Sequence, residues 1–217
     1  MGVVARSFER PAAIALRGGD AEGLALEGLY VPASDPAGDG AVIAPPHPSY
    51  GGSMESPVVT ELAHACAKAG AASLRFNWRG VGASAGETTG DPATAEVDYA
   101  SALDFVEESV PGALVACGYS FGAAAAVRAS RGRPRVRRLL LVAPPPVLLD
   151  REALLAFPGR VWLAAGERDA LAPPAELECL AGELRDGRFV CIPETDHFFL
   201  RGLADLSRSA AAWLCGE

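Results

Sequence analysis

The sequence predicts a three-layer α/β/α sandwich built on a mostly parallel sheet, and three observations predict it. Short, continuous apolar runs recur along the chain, longer segments with helical spacing separate them, and Gly- or Pro-containing turns close most of them. Runs that are apolar throughout read as strands covered on both faces. Their alternation with helices is the pattern of right-handed βαβ crossovers.

The elements follow in order. Residues 13–17 and 24–31 read as two strands around a Gly18-Gly19-Asp20 turn, and a Pro/Asp/Gly-rich loop leads to a third strand at 40–44. A helix is expected over 57–69, where Val58, Leu62, Ala65 and Ala69 recur at helical spacing before Gly70. A strand at 71–76 enters a glycine-rich loop, and a helix over 94–110 ends at Pro111-Gly112. Then come a strand at 113–117, the turn Gly118-Tyr119-Ser120-Phe121-Gly122, and an alanine-dense helix over 123–129. A strand at 136–143 is stopped by three prolines. Strands at 161–165 and 189–192 flank a helix over 174–184, and a helix over 203–214 completes the pattern.

At 217 residues there is room for one well-buried core, so 1–217 is expected to be a single domain. Lys and Arg number 19 against 27 Asp and Glu, a formal charge of −8, which makes nucleic acid and anionic lipid poor partners. Arg131, Arg133, Arg135, Arg137 and Arg138 form a local basic run without interleaved aromatics, expected to be a solvated helix–strand junction. No apolar stretch is long enough for a membrane span, and the N-terminal residues lack a secretory h-region. The five cysteines show no metal-ligand spacing, and most sit in apolar runs where a thiol acts as a small core residue. No cofactor or metal is expected. A reducing, cytoplasmic location fits that cysteine usage, and a homodimer is compatible with it.

In such a sheet, functional groups belong immediately after strands. Gly118-x-Ser120-x-Gly122 lies between a strand and a helix, the context in which a serine is held exposed on a sharp turn as a nucleophile. A serine needs a base. His64 falls inside a helix, and His47 follows the third strand. His197 follows the last strand and comes after the serine in the chain order Ser, acid, His. Asp169 follows the strand at 161–165 and is the preferred orienting acid over Asp150, Glu167 and Asp196. The backbone N–H groups of Phe121 and Ser49 are the expected oxyanion donors. His47, Tyr50, Trp78 and Phe198 or Phe199 are the candidates for contact with a substrate, together with the wall at 144–149. The segment at 80–86 looks like a nucleotide loop but carries Ala85 where GxGxxG needs glycine, and no Walker lysine is present.

The ordered set PPHPSYGGSM, NWRGVGASAGE, GYSFGA, GERDALAP and DHFF resembles the α/β-hydrolase superfamily, and within it a compact bacterial group of serine hydrolases. The resemblance runs from about residue 41 to 199. It implies Ser120 as nucleophile, Asp169 as acid and His197 as base. The group's oxyanion loop usually reads His-Pro-His-Pro before two glycines, and here Pro45 replaces the first histidine. Longer relatives insert a helical cap after the sixth strand, where this chain has only residues 144–159, so an open site without a lid is expected. The implied activity is hydrolysis of a carboxylic ester or related acyl compound through an acyl-enzyme. Thioesterase, amidase, peptidase or acyltransferase chemistry is the alternative on the same residues. A hydrolase fold kept as a non-catalytic binding module is the alternative of another class.

Overall fold

Each of the eight apolar runs forms a strand, and all eight join one sheet. A computed structural model describes residues 9–17 and 21–216. The strands are β1 (Arg10–Ala15), β2 (Ala25–Val31), β3 (Gly40–Ala44), β4 (Ala72–Phe76), β5 (Leu114–Tyr119), β6 (Val136–Val142), β7 (Arg160–Gly166) and β8 (Gly187–Ile192). Their order is β1-β2-β4-β3-β5-β6-β7-β8. β1 pairs antiparallel with β2 and β2 antiparallel with β4, while all neighbours from β4 to β8 are parallel.

The helices are α1 (Pro57–Lys68), α2 (Pro92–Ser109), α3 (Phe121–Ala129), α4 (Arg151–Ala156), α5 (Pro174–Glu183) and α6 (Leu203–Cys215). α1 packs on α6, and α2 packs on α3, which complete the α/β/α sandwich. β3, β4 and β5 are buried at every position, as strands covered on both faces must be. Most polar groups inside are matched, with Trp162 Nε1 and Ser207 Oγ as exceptions among the described residues. The Tyr99 hydroxyl lies 2.9 Å from the Val42 carbonyl and 2.8 Å from that of Cys117, and Arg75 pairs with Glu9 and Glu55.

Several boundaries differ from expectation for local reasons. α2 starts at Pro92, earlier than the apolar spacing suggested, because Asp91 accepts the N–H of Thr94 and proline suits the first helical position. α4 was not foreseen. Asp150 caps it by accepting the Ala153 N–H, and good helix formers follow. β1 lies toward Arg10 rather than Arg17, and the expected Gly18-Gly19-Asp20 turn falls outside the described residues. Only Cys66 and Cys117 are core residues, whereas Cys179, Cys191 and Cys215 are exposed, against the expectation that most would be buried.

The basic run is mostly spoken for by neighbours. Arg131 meets Glu96 and Asp150, and Arg133 meets Asp104. Arg135 donates to the carbonyls of Glu107, Val110 and Gly112 at the C-terminus of α2, where positive charge is favoured. Arg138 meets Asp39. Arg137 has no such partner among the described residues.

No helix among the described residues is long and apolar enough to cross a membrane, and no cluster of them could hold a metal ion.

Candidate active site

Ser120 is the single residue between β5 and α3, with φ +55° and ψ −116°, a left-handed conformation costly for any residue but glycine. Close packing holds it there. The Ser120 N–H donates to the Val142 carbonyl at 2.8 Å. A Cβ on Gly118 would meet the Gly122 carbonyl oxygen at 2.3 Å, and one on Gly122 would meet the carbonyl oxygens of Pro45 and Ala44 at 2.5 and 2.6 Å. These two glycines therefore let the elbow close on itself and against the end of β3. Gly122→Ala is expected to lower stability by about 1–3 kcal/mol, because its neighbours are backbone atoms that yield poorly. Gly182→Ala, in open space on α5, is expected to raise it by about 0.5–1 kcal/mol. Thermal unfolding of the two variants gives the comparison.

Three loops at the C-terminal edge of the sheet converge on this serine. The Ser120 hydroxyl lies 3.0 Å from His197 Nε2, and His197 Nδ1 lies 2.8 Å from Asp169 Oδ2 and 3.0 Å from Oδ1. All three residues are buried. The Asp169 carboxylate is fixed from behind, since Oδ1 accepts the N–H groups of Leu171 and Ala172 at 2.9 and 2.8 Å. His197 is fixed through its own backbone, whose carbonyl accepts the Tyr119 hydroxyl at 2.6 Å. Burial, then the charges of Asp169 and Asp196, raise the Tyr119 hydroxyl well above its ordinary pKa of 10.0, so it stays a donor. Tyr119 was not singled out in the sequence. The available signal was an aromatic hydroxyl inside the elbow, on a strand otherwise apolar.

The competing acids are occupied elsewhere. Asp150 caps α4 and meets Arg131, Glu167 accepts the N–H of Glu194, and Asp196 accepts that of Phe198. His64 is exposed on α1, 3.8 Å from Glu61.

The loop after β3 corrects one expectation. The N–H of Ser49 donates to His47 Nδ1 at 3.2 Å, so Ser49 is not an open donor. Pro45, Pro46 and Pro48 have no N–H, and those of Tyr50, Gly51 and Gly52 bond carbonyls within the loop. The N–H groups of His47 and Ser53 are left, and of these His47 is the one beside Phe121, whose own N–H likewise has no partner among the described residues. The His47 ring stands 4.7 Å from that of Phe121 and 4.9 Å from that of Tyr50. Burial lowers its pKa from the ordinary 6.5, which favours the neutral ring that can accept from Ser49.

Trp78 also departs from expectation. It is buried, bordering only a small recess with Pro48 and Phe121, and its indole N–H lies 3.0 Å from the Pro46 carbonyl and 3.2 Å from that of Pro45. It supports the loop from below. The next residue, Arg79, is anchored by the buried Asp98. Exposed apolar side chains follow four of the strands whose C-terminal ends lie at this edge: Tyr50, Val147, Leu171, Phe198 and Leu200. Between β6 and β7 the chain carries only a short turn and the six-residue α4, so this connection inserts no lid over the edge.

A sequence model of the family described as serine aminopeptidase, S33, matches residues 49–148. An uncharacterized protein of Rickettsia prowazekii is 29% identical over 201 residues, covering 87% of this chain and 84% of its own. Among solved structures, a candidate α/β hydrolase of unknown function from Agrobacterium tumefaciens superimposes with a TM-score of 0.83 at 29% identity, covering 94% of each chain. A protein of Xanthomonas campestris described as an α/β serine hydrolase without a lid superimposes at 0.78 with 26% identity, covering 96% of this chain and 94% of its own. In its sheet order, its serine elbow and its uncovered edge, this chain has the α/β-hydrolase fold and is similar to the compact α/β serine hydrolases without a lid.

Proposed function

We propose that the protein hydrolyses a carboxylic ester or related acyl compound through an acyl-enzyme on Ser120. The unbroken hydrogen-bond chain from Ser120 through His197 to Asp169, at 3.0 and 2.8 Å, carries this reading. Ser120 Oγ attacks the acyl carbon as His197 Nε2 takes its proton, and Asp169 keeps the other ring nitrogen protonated. The N–H groups of Phe121 and His47 receive the negative oxygen of the tetrahedral intermediate. His197 returns the proton to the departing alcohol. A water then repeats the sequence on the acyl-enzyme, releases the acid and restores the serine.

The family match to serine aminopeptidases supports amide or peptide cleavage as a second reading. The exposed apolar side chains at the strand ends, Tyr50, Val147, Leu171, Phe198 and Leu200, favour the ester, because they suit an apolar acyl or alcohol group better than a charged amino terminus.

The test is labelling with a fluorophosphonate, read by peptide mass spectrometry, followed by a screen of short aryl esters, thioesters and amides. Modification at Ser120 and turnover of esters ahead of amides are expected. A folded sample that does not react would sink the proposal.

Tyr119 should matter through His197. Tyr119→Phe keeps the ring but leaves a buried carbonyl unpaired, so the imidazole drifts from the serine. A fall in kcat of about tenfold with KM little changed is expected, which is about 1.4 kcal/mol. Equal losses in both parameters would point to a role in binding.

A further inference from the structure

Arg137, left without a partner when the rest of the basic run was accounted for, lies at the opposite edge of the sheet from Ser120. It lines a concavity of about 670 Å³ at the N-terminal ends of β6, β7 and β8. Four arginines line this space, Arg137, Arg138, Arg160 and Arg185, with two acidic residues, Asp39 and Asp186.

Two of the four arginines are committed. Arg138 donates to Asp39 at 2.5 Å and to the Leu214 carbonyl at 2.9 Å. Arg160 lies 3.7 Å from Asp186 with its guanidinium over the Trp213 ring, 5.3 Å from its centre. Both carboxylates are thereby engaged. Arg137 and Arg185 have no ion-pair or hydrogen-bond partner among the described residues. In a chain of net charge −8, uncompensated cations gathered around one hollow are an uneven distribution that ordinary surface mixing does not require.

We infer that this cleft binds a small soluble polyphosphate-type anion. Each free guanidinium presents a planar fork of donors matched to two oxygens of one phosphate, and two forks across one hollow suit a ligand with at least two anionic groups. The space is large enough for an organic phosphate as well as an inorganic one. A lipid bilayer or nucleic acid fits less well: two acidic residues are part of the lining, and the whole chain repels an extended polyanion. The cleft is remote from the serine, so occupancy does not depend on the hydrolase reading.

Isothermal titration of the full chain with inorganic pyrophosphate tests this, at about 0.15 M salt so that diffuse attraction is screened. Saturable binding is expected. The double variant Arg137→Gln/Arg185→Gln should weaken it at least tenfold, while Arg201→Gln/Arg208→Gln, which removes equal charge elsewhere, leaves it unchanged. Both altered arginines of the cleft lack partners, so the variant should fold, which circular dichroism checks. Pyrophosphate should raise the Tm of the parent and not of the cleft variant. Absent binding, equal binding by all three proteins, or sedimentation with anionic phospholipid vesicles that the cleft variant loses would each overturn the inference.

Discussion

Ser120→Ala is expected to lower kcat by about 10⁴–10⁶-fold while leaving the fold intact. The substitution keeps the β-carbon, so the left-handed backbone is no more strained than before, and the N–H bond to Val142 is untouched. What disappears is the oxygen 3.0 Å from His197 Nε2, the only side-chain oxygen aimed at that nitrogen among the described residues. The phosphonate label should vanish with it, while Tm shifts by no more than about 1 kcal/mol in equivalent stability, one hydrogen bond's worth. Kinetics on any ester the parent cleaves, beside a melting curve, supplies the check. An alanine variant within tenfold of the parent would mean that a different nucleophile does the work.

Asp169→Asn is expected to cost about 10⁴-fold in kcat, from a change of one atom. The reason lies in which oxygen is already committed. Oδ1 accepts two backbone N–H groups, from Leu171 and Ala172, so an asparagine would place its carbonyl oxygen there and turn its NH₂ toward His197 Nδ1. That ring nitrogen would then have to accept a hydrogen bond, which moves the ring proton to Nε2. The imidazole would face Ser120 as a donor, unable to take the hydroxyl proton. Stability should change little, because the backbone contacts survive. A variant with parental kcat would show that the ring keeps its working tautomer without the carboxylate.

Much of the architecture was legible because the strands are apolar throughout and the turns between them carry Gly and Pro. The residues around Ser120 were legible for a related reason: Asp169 and His197 each follow a strand, and parallel crossovers bring those ends to one edge. What escaped depended on directions that spacing does not encode. The short helix α4 rests on one Asp cap and a single turn of pattern, too little periodicity to see. Ser49 was chosen as a donor on position, yet the ring of His47 takes its N–H, a contact between residues two apart. The hold of Trp78 on the loop, through its indole N–H and the carbonyls of Pro45 and Pro46, spans more than thirty residues and leaves no trace in spacing. Tyr119 reaches 78 residues along the chain to hold His197, a pairing that only the folded sheet creates.

The order of the strands has a temporal meaning. The bend at Ser120 is closed by β3 and β6, which lie in the middle of the sheet, whereas the imidazole arrives only when the last strand docks at its rim. A nascent chain would therefore carry its hydroxyl unarmed until nearly everything else is in place, and reactivity toward phosphonates would report the completion of folding rather than its onset.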